Sequence, residues 1–389
     1  MTRVTILQSR LFHYRVPLFE HLRRLLSEHG VELHLVHGQP SAREASRRDE
    51  GHLAWAHRVR NRYYQVGGVD LLMQPLPRPA RDAELVVLMQ ENRILSNYGL
   101  LAKRKLSGRR LAWWGHGRNL QSQAPDGWRE RWKAACLHQV DWWFGYTPST
   151  VAFLTAAGFD TTRITCLNNA IDVSGFQREL AAVGAEDLEI LRYRHGIDRQ
   201  AIVAVHCGSL YADKRLDVLI ESGDRVHRIH EDFRCIVIGD GPEARRLKVA
   251  ERRRPWLRWV GAQTGAAKAG FFKLAQLHLH PGGVGLHALD AFSAGLPMVT
   301  LRHSRHGPEF DYLRDRINAR IVDQDDATAF ADTIVELLGD EAQRAQLATA
   351  AQADAGRYTV EAMAANYCQG LLACLASPQP TVVHSRHPA

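Results

Sequence analysis

Four segments in the second half of this 389-residue chain carry residue types that hold anions. The first is Gly208-Ser209-Leu210-Tyr211-Ala212-Asp213-Lys214-Arg215, where a glycine turns the chain and a lysine follows near the start of a helix. A lysine in that place sets a compact positive charge against a diphosphate. The second, Gly239-Asp240-Gly241-Pro242-Glu243, offers Gly239 and Gly241 for close approach of a ligand, although a plain strand-to-helix turn reads the same. The third runs from His280-Pro281-Gly282-Gly283-Val284-Gly285-Leu286-His287 through Asp290 to Gly295-Leu296-Pro297. A glycine-rich loop entering a helix directly leaves backbone N–H groups at its positive end, which suits a phosphate, and Asp290 is placed to accept from a ribose hydroxyl. The fourth is His303-Ser304-Arg305-His306-Gly307-Pro308-Glu309. Its histidines, with His280 or His287, form no pair at helical i, i+4 spacing, so no metal is expected.

The first half offers fewer candidates. His13 and Arg15 follow the first strand, Glu91 and Arg93 follow another, and Trp114-Gly115-His116-Gly117-Arg118-Asn119 a third. Segment 103–133 carries nine Lys or Arg against two acidic residues, interleaved with Trp113, Trp114, Trp128 and Trp132. That mixture suits an anionic membrane surface and equally single-stranded nucleic acid.

These residues need strand ends to position them. Val4–Leu7 reads as a strand, Pro17 opens an amphipathic helix that Gly30 ends, and Val31–Val36 is a second strand, a βαβ unit with a parallel sheet. Leu85–Met89 and Leu111–Trp114 continue it. The pattern restarts with strands at 201–205, 235–238, 259–260, 277–279 and 298–300. Residues 178–200 read as a helical linker without a strand, and 377–389 as a disordered tail. The expected fold is α/β, two doubly wound Rossmann-like domains facing a central cleft, with domains at 1–180 and 200–357 and a closing helix at 358–376.

Composition agrees with an ordinary globular chain: 45% apolar, 24% charged, net charge +8. The longest apolar run, Leu85–Met89, is far short of the ~20 residues of a membrane helix. The N-terminus is too polar for a signal peptide, and six scattered cysteines read as buried small hydrophobes, both consistent with a cytoplasmic location. A charge of +8 is a weak pointer to an anionic partner and does not choose its kind.

Taken together, the four segments resemble the C-terminal half of the retaining family 4 glycosyltransferases of GT-B fold. Gly208 with Lys214, Ile236 to Pro242, the Gly283–Gly285 helix entry, Ala291 to Met298 and Glu309 match in order and spacing across about 202–325. The resemblance implies transfer of a sugar from a nucleotide-diphosphate-sugar to an acceptor hydroxyl with retention, in polysaccharide or glycolipid synthesis, with no metal or other cofactor. It implies donor contacts from Gly208, Ser209, Lys214, Gly239, Gly241, Gly283, Val284, Gly285, Leu286, Asp290 and Gly307, and catalytic roles for His116, Lys214 and Glu309. The acceptor side would draw on His13, Arg15, Glu91, Arg93 and Asn119. Expected partners are the donor, a sugar or lipid-linked acceptor and an anionic membrane surface met peripherally on its inner face; nucleic acid is not expected. Two departures stand out. Gly282 occupies the first of the two usual glutamate positions, and Ser209 replaces a frequent arginine. They leave open a second reading, a nucleotide-sugar-binding partner subunit without turnover. A sugar-nucleotide epimerase of similar fold has no matching carboxylate and histidine set.

Overall fold

The computed structural model of the protein describes residues 1–45, 49–117 and 128–378. The chain divides into two compact units, 1–169 with 360–389, and 170–359.

The N-terminal unit is built on a seven-stranded sheet. Its strands, in chain order, are β1 (Thr2–Arg10), β2 (Val31–Gly38), β3 (His57–Arg58), then a separate hairpin of β4 (Arg62–Val66) and β5 (Val69–Met73), and β6 (Leu85–Met89), β7 (Arg110–Gly115), β8 (Trp142–Gly145) and β9 (Ile164–Cys166). The sheet order is β3-β2-β1-β6-β7-β8-β9, with every pairing parallel. Helices cover parallel sheets on both faces, so the strands are buried along most of their length: β1 is buried from Val4 to Arg10, its polar Gln8, Ser9 and Arg10 included. Helix Val16–Glu28 has Pro17 in its first turn and buries Leu18, Phe19, Leu22 and Leu26 on one stripe; Gly30, at φ 70°, ends the turn after it. The chain's last described helix, Val360–Ala376, belongs to this unit and sets Tyr367 against Trp114, ring centroids 5.1 Å apart.

The tryptophans of the basic segment part company. Alternation along β7 sends Trp113 and Trp114 to opposite faces, and both are buried, so neither is available to a membrane. Trp132 is half exposed, and residues 118–127 with the side chain of Trp128 lie outside the description. Among the described residues no helix is long and apolar enough to cross a membrane. Five of the six free cysteines are buried and Cys166 is half-buried.

The second unit carries β10 (Ile202–Cys207), β11 (Phe233–Ile238), β12 (Leu257–Gly261), β13 (Leu277–Leu279), β14 (Met298–Leu301) and β15 (Ala319–Val322), all parallel, in the order β12-β11-β10-β13-β14-β15. The core strand at the centre, β10, is followed by helix Leu216–Ile229, whose buried Leu216, Leu219 and Val226 close one face. Helix Ala185–His195 and the end of helix Val173–Ala182 lie in the stretch 178–200 read from sequence as a linker, yet both helices belong to this unit, which begins at 170 where the sequence reading carried the first domain to 180. The reason is packing: Phe176 meets Phe272 edge to face at 5.4 Å, and Lys273 Nζ donates to the carbonyl of Val183 at 2.7 Å.

Candidate functional site

Three loops of the second unit, after β10, β13 and β14, leave the carboxyl edge of the sheet side by side and are woven together. The chain after β10 makes a 3-10 turn at Ala212–Lys214, and Arg215 takes the left-handed conformation at φ 51° before the next helix. Lys214 Nζ donates to the carbonyl of Gly283 at 2.6 Å and lies 3.3 Å from Asp213 Oδ2. The same carbonyl accepts from His280 Nε2 at 3.1 Å. Gly283 N–H in turn donates to Asp213 O at 3.0 Å. The β14 loop closes the weave: Val284 N–H donates to His306 Nδ1 at 3.1 Å, and Gly307 N–H to Val284 O at 2.7 Å. His306 Nε2 therefore carries the proton and donates to Leu301 O at 2.8 Å.

These bonds bear on the residues named from sequence. Of the three N–H groups expected to meet a phosphate, those of Gly283 and Val284 already serve the loop weave. Gly239 and Gly241 are glycines because two loops touch there, whereas Gly208 has room for a side chain and is set by its backbone at φ 155°. A Cβ on Gly239 would lie 1.9 Å from Gly208 O, and one on Gly241 2.5 Å from Leu210 O. Ser209 is exposed on the same loop, and Leu286 is half-buried just before the helix. Glu309 is buried on the 3-10 turn Pro308–Tyr312. Its Oε2 sits 4.0 Å from where a Cβ of Gly285 would be, so Glu309, Gly285 and Gly307 share one corner.

Gly282, the departure from the double-glutamate pattern, has a packing cause. A Cβ there would lie 2.3 Å from both Asp213 O and Lys214 Cα. The backbone bearing Lys214 occupies the space a side chain at 282 would need. Gly282→Ala is expected to destabilise the second unit by roughly 1–3 kcal/mol, because the clash is with main chain that cannot swing aside. Chemical denaturation checks this, and a variant as stable as the parent would contradict the packing account.

Asp290, expected at a ribose, forms an ion pair with Lys268 Nζ at 2.7 Å, and both side chains are largely buried. Burial is the largest influence and works against the Lys268 charge, but Asp290, Cys207 and Glu179 together outweigh it and the net shift of its pKa is upward. The ammonium also sits 4.6 Å from the Phe176 ring centroid. One carboxylate oxygen of Asp290 is thus committed within the protein.

Beneath the loops lies a feature that sequence reading missed. His206 on β10, His278 on β13, His280 just after it and His287 on helix His287–Ser293 stack with centroids 3.8–5.8 Å apart. His206, His278 and His280 are fully buried. Burial holds His206 at about 4 and pushes His278, His280 and His287 well below the ordinary imidazole value. The alternation His206, His278 and His280 on adjacent strands was the available signal. Among the described residues, no three His, Cys, Asp or Glu side chains are arranged to hold a metal ion.

In the N-terminal unit the candidates fall into two groups. His116, after β7, packs its ring 4.2 Å from Tyr146, and Arg15 donates through Nη2 to the same tyrosine hydroxyl at 3.3 Å. Glu91 and Arg93 instead pair with each other at 2.6 Å, with Glu44 adding a contact to Arg93 at 2.9 Å. His13 is exposed, its Nδ1 3.2 Å from Asp49 O. Asn119 lies outside the described residues.

Comparison with known proteins adds to this geometry. Residues 201–340 match the family model of glycosyl transferases group 1. No curated protein matches the chain significantly in sequence. Among solved structures, HepE from Anabaena in complex with UDP-glucose is similar, with TM-score 0.69 and 14% identity over 96% of this chain and 100% of that one. A glycosyltransferase from Rickettsia africae gives TM-score 0.70 at 12% identity over 97% and 99% of the two chains. WaaG, a glycosyltransferase of lipopolysaccharide biosynthesis, gives 0.62 at 14% over 94% and 98%. The two Rossmann-like units are thus those of the GT-B glycosyltransferase fold, and the three-loop weave falls within the segment that matches glycosyl transferases group 1.

Proposed function

We propose that the chain is a glycosyltransferase that moves a sugar from a nucleotide-diphosphate-sugar to an acceptor hydroxyl with retention. The observation that carries this is Lys214: a lysine at the carboxyl edge of a parallel sheet, its ammonium pre-set by the carbonyl of Gly283, inside the segment that matches glycosyl transferases group 1. An ammonium fixed in place before the ligand arrives stabilises the charge that develops on a departing diphosphate without reorganising. The Gly285 N–H, Glu309 and the Gly307 corner complete the donor side, and the second oxygen of Asp290 remains for the ribose. His116 serves the sugar. The reading takes no metal and assigns no carboxylate as nucleophile. Solved structures of similar fold hold UDP and UDP-glucose, which makes a uridine donor the first to try. A polysaccharide or glycolipid acceptor and a cytoplasmic, membrane-peripheral setting belong to the same proposal.

A second reading is favoured by the Gly282 packing and by the engaged N–H groups of Gly283 and Val284: a partner subunit that binds a nucleotide-sugar without turning it over. Thermal shift with UDP, GDP, ADP and their sugar conjugates tests the donor site first. A bound ligand raises stability by RT ln(1 + [L]/Kd), so one nucleotide is expected to raise the melting temperature. No rise with any of them would remove the donor site from both readings.

A further inference from the structure

Three arginines are buried among the described residues, Arg10, Arg15 and Arg320. Arg10 is bidentate on Asp49, and Arg320 reaches both oxygens of Glu336 at 3.0 and 3.1 Å with Gln343 at 2.8 Å. Arg15 has no carboxylate partner among the described residues: the hydroxyl of Tyr146 takes Nη2 at 3.3 Å and the hydroxyl of Tyr14 interacts with the guanidinium beside it. Its charge is held between aromatic faces instead, with Trp114 at 4.4 Å, Tyr14 at 5.5 Å and Tyr146 at 5.6 Å from the guanidinium carbon. A guanidinium stays charged at any pH a protein survives, and a buried charge without a counter-ion opposes folding. Its place is also telling. Arg15 ends the 3-10 turn that follows β1, Trp114 lies near the end of β7 and Tyr146 just past β8. All three therefore gather at the carboxyl edge of a parallel sheet, where such folds take ligands.

We propose that Arg15, framed by Trp114, Tyr14 and Tyr146, is the centre of an anion subsite in the N-terminal unit that takes a phosphate ester or carboxylate borne by the acceptor. Planar oxygen pairs match a guanidinium, and the aromatic faces orient it without neutralising it. Tyr14, half-exposed on the same turn, is the side chain that rotates to admit the group. The anion subsite stands on this unit's geometry alone; its assignment to the acceptor rests on the transferase reading.

The test is thermal shift on the full chain with inorganic phosphate, glucose 6-phosphate, glucuronate and neutral methyl glucoside at constant ionic strength. It compares the parent, Arg15→Met, Arg15→Lys and Lys214→Ala. The acidic ligands are expected to raise the melting temperature of the parent and of Lys214→Ala, and methyl glucoside to leave it unchanged. Arg15→Met should lose that response, keep the UDP response and melt no lower than the parent, since it sheds an unpaired charge. Arg15→Lys keeps the charge without the plane and should bind about tenfold more weakly. The larger of the glucose 6-phosphate and glucuronate shifts decides between phosphate and carboxylate. An anion response that survives Arg15→Met, one lost only in Lys214→Ala, or none in the parent would overturn the proposal. A UDP response absent throughout beside an Arg15-dependent anion response would sink the donor reading and leave the subsite standing.

Discussion

Acidifying the protein from about pH 7.5 to about pH 5 is expected to cost the second unit several kcal/mol, a large share of the stability of an ordinary fold. The cause is the imidazole stack under the loops together with His306. Burial holds His206 and His306 at about 4, and burial together with the neighbouring imidazoles and lysines pushes His278, His280 and His287 well below the ordinary imidazole value. The unfolded chain takes a proton on each below about pH 6.5, while the folded chain does not, so stability is fully present above 6.5 and falls as pH drops toward about 4. At pH 5 His206 and His306 each withdraw roughly 2 kcal/mol, roughly 4 together, and the other three add to that in the same direction. Carboxylates remain largely ionised in that window, which isolates the effect. His278 is the cleanest probe, because neither ring nitrogen has a hydrogen-bond partner among the described residues and its ring lies among Phe272, His280 and His287. His278→Phe is expected to raise the melting temperature at pH 5 more than at pH 7.5 and to lower the proton uptake on unfolding by about one. Calorimetry at the two pH values reads both quantities. A parent protein equally stable at pH 5 and 7.5 would mean that the stack is protonated or solvated in the fold.

Much of the architecture was legible because buried parallel strands are short apolar runs between helices. Val4–Leu7, Val31–Val36, Leu85–Met89 and Cys235–Ile238 all fall within strands. What escaped was either too short or too polar to stand out. Trp142–Gly145 is four residues beside a tryptophan-rich basic segment, and Arg62–Met73 pairs as a hairpin through charged and aromatic residues with little alternation. The four segments of the candidate site come together as the spacing led one to expect, since successive strand ends of a parallel sheet converge on one edge. The partners of individual residues were another matter. Gly282 was visible as a departure, but its reason is the backbone of Lys214, 68 positions earlier. Asp290 was read for a ribose without sight of Lys268, and Arg15 without sight of Tyr146, which lies 131 residues away. Sequence periodicity reports which face of an element is buried; it does not report what another element brings to that face.

Lys214→Ala carries the largest expected effect on function. Removing one pre-set donor from a site that stabilises developing charge costs roughly 10²–10³-fold in turnover. The side chain's structural role is smaller: it contributes one hydrogen bond, to the Gly283 carbonyl, and a partly exposed ion pair with Asp213, and His280 Nε2 still donates to that carbonyl in its absence. That loss is worth about 1 kcal/mol, or about 2–4 °C of melting temperature for a unit of this size. The two scales separate catalysis from packing. A variant that melts within about 5 °C of the parent, loses the nucleotide response and loses at least a hundredfold in transfer would place the diphosphate on Lys214. One that keeps more than a tenth of the parent's transfer would remove Lys214 from the mechanism and the donor assignment with it. If the parent binds a nucleotide through Lys214 yet transfers no sugar to any hydroxyl offered, the partner-subunit reading takes over. The Gly282 packing then acquires a meaning of its own, because main chain fills the space that the first glutamate of the usual pair would need, and a site without that carboxylate can still hold a diphosphate through Lys214.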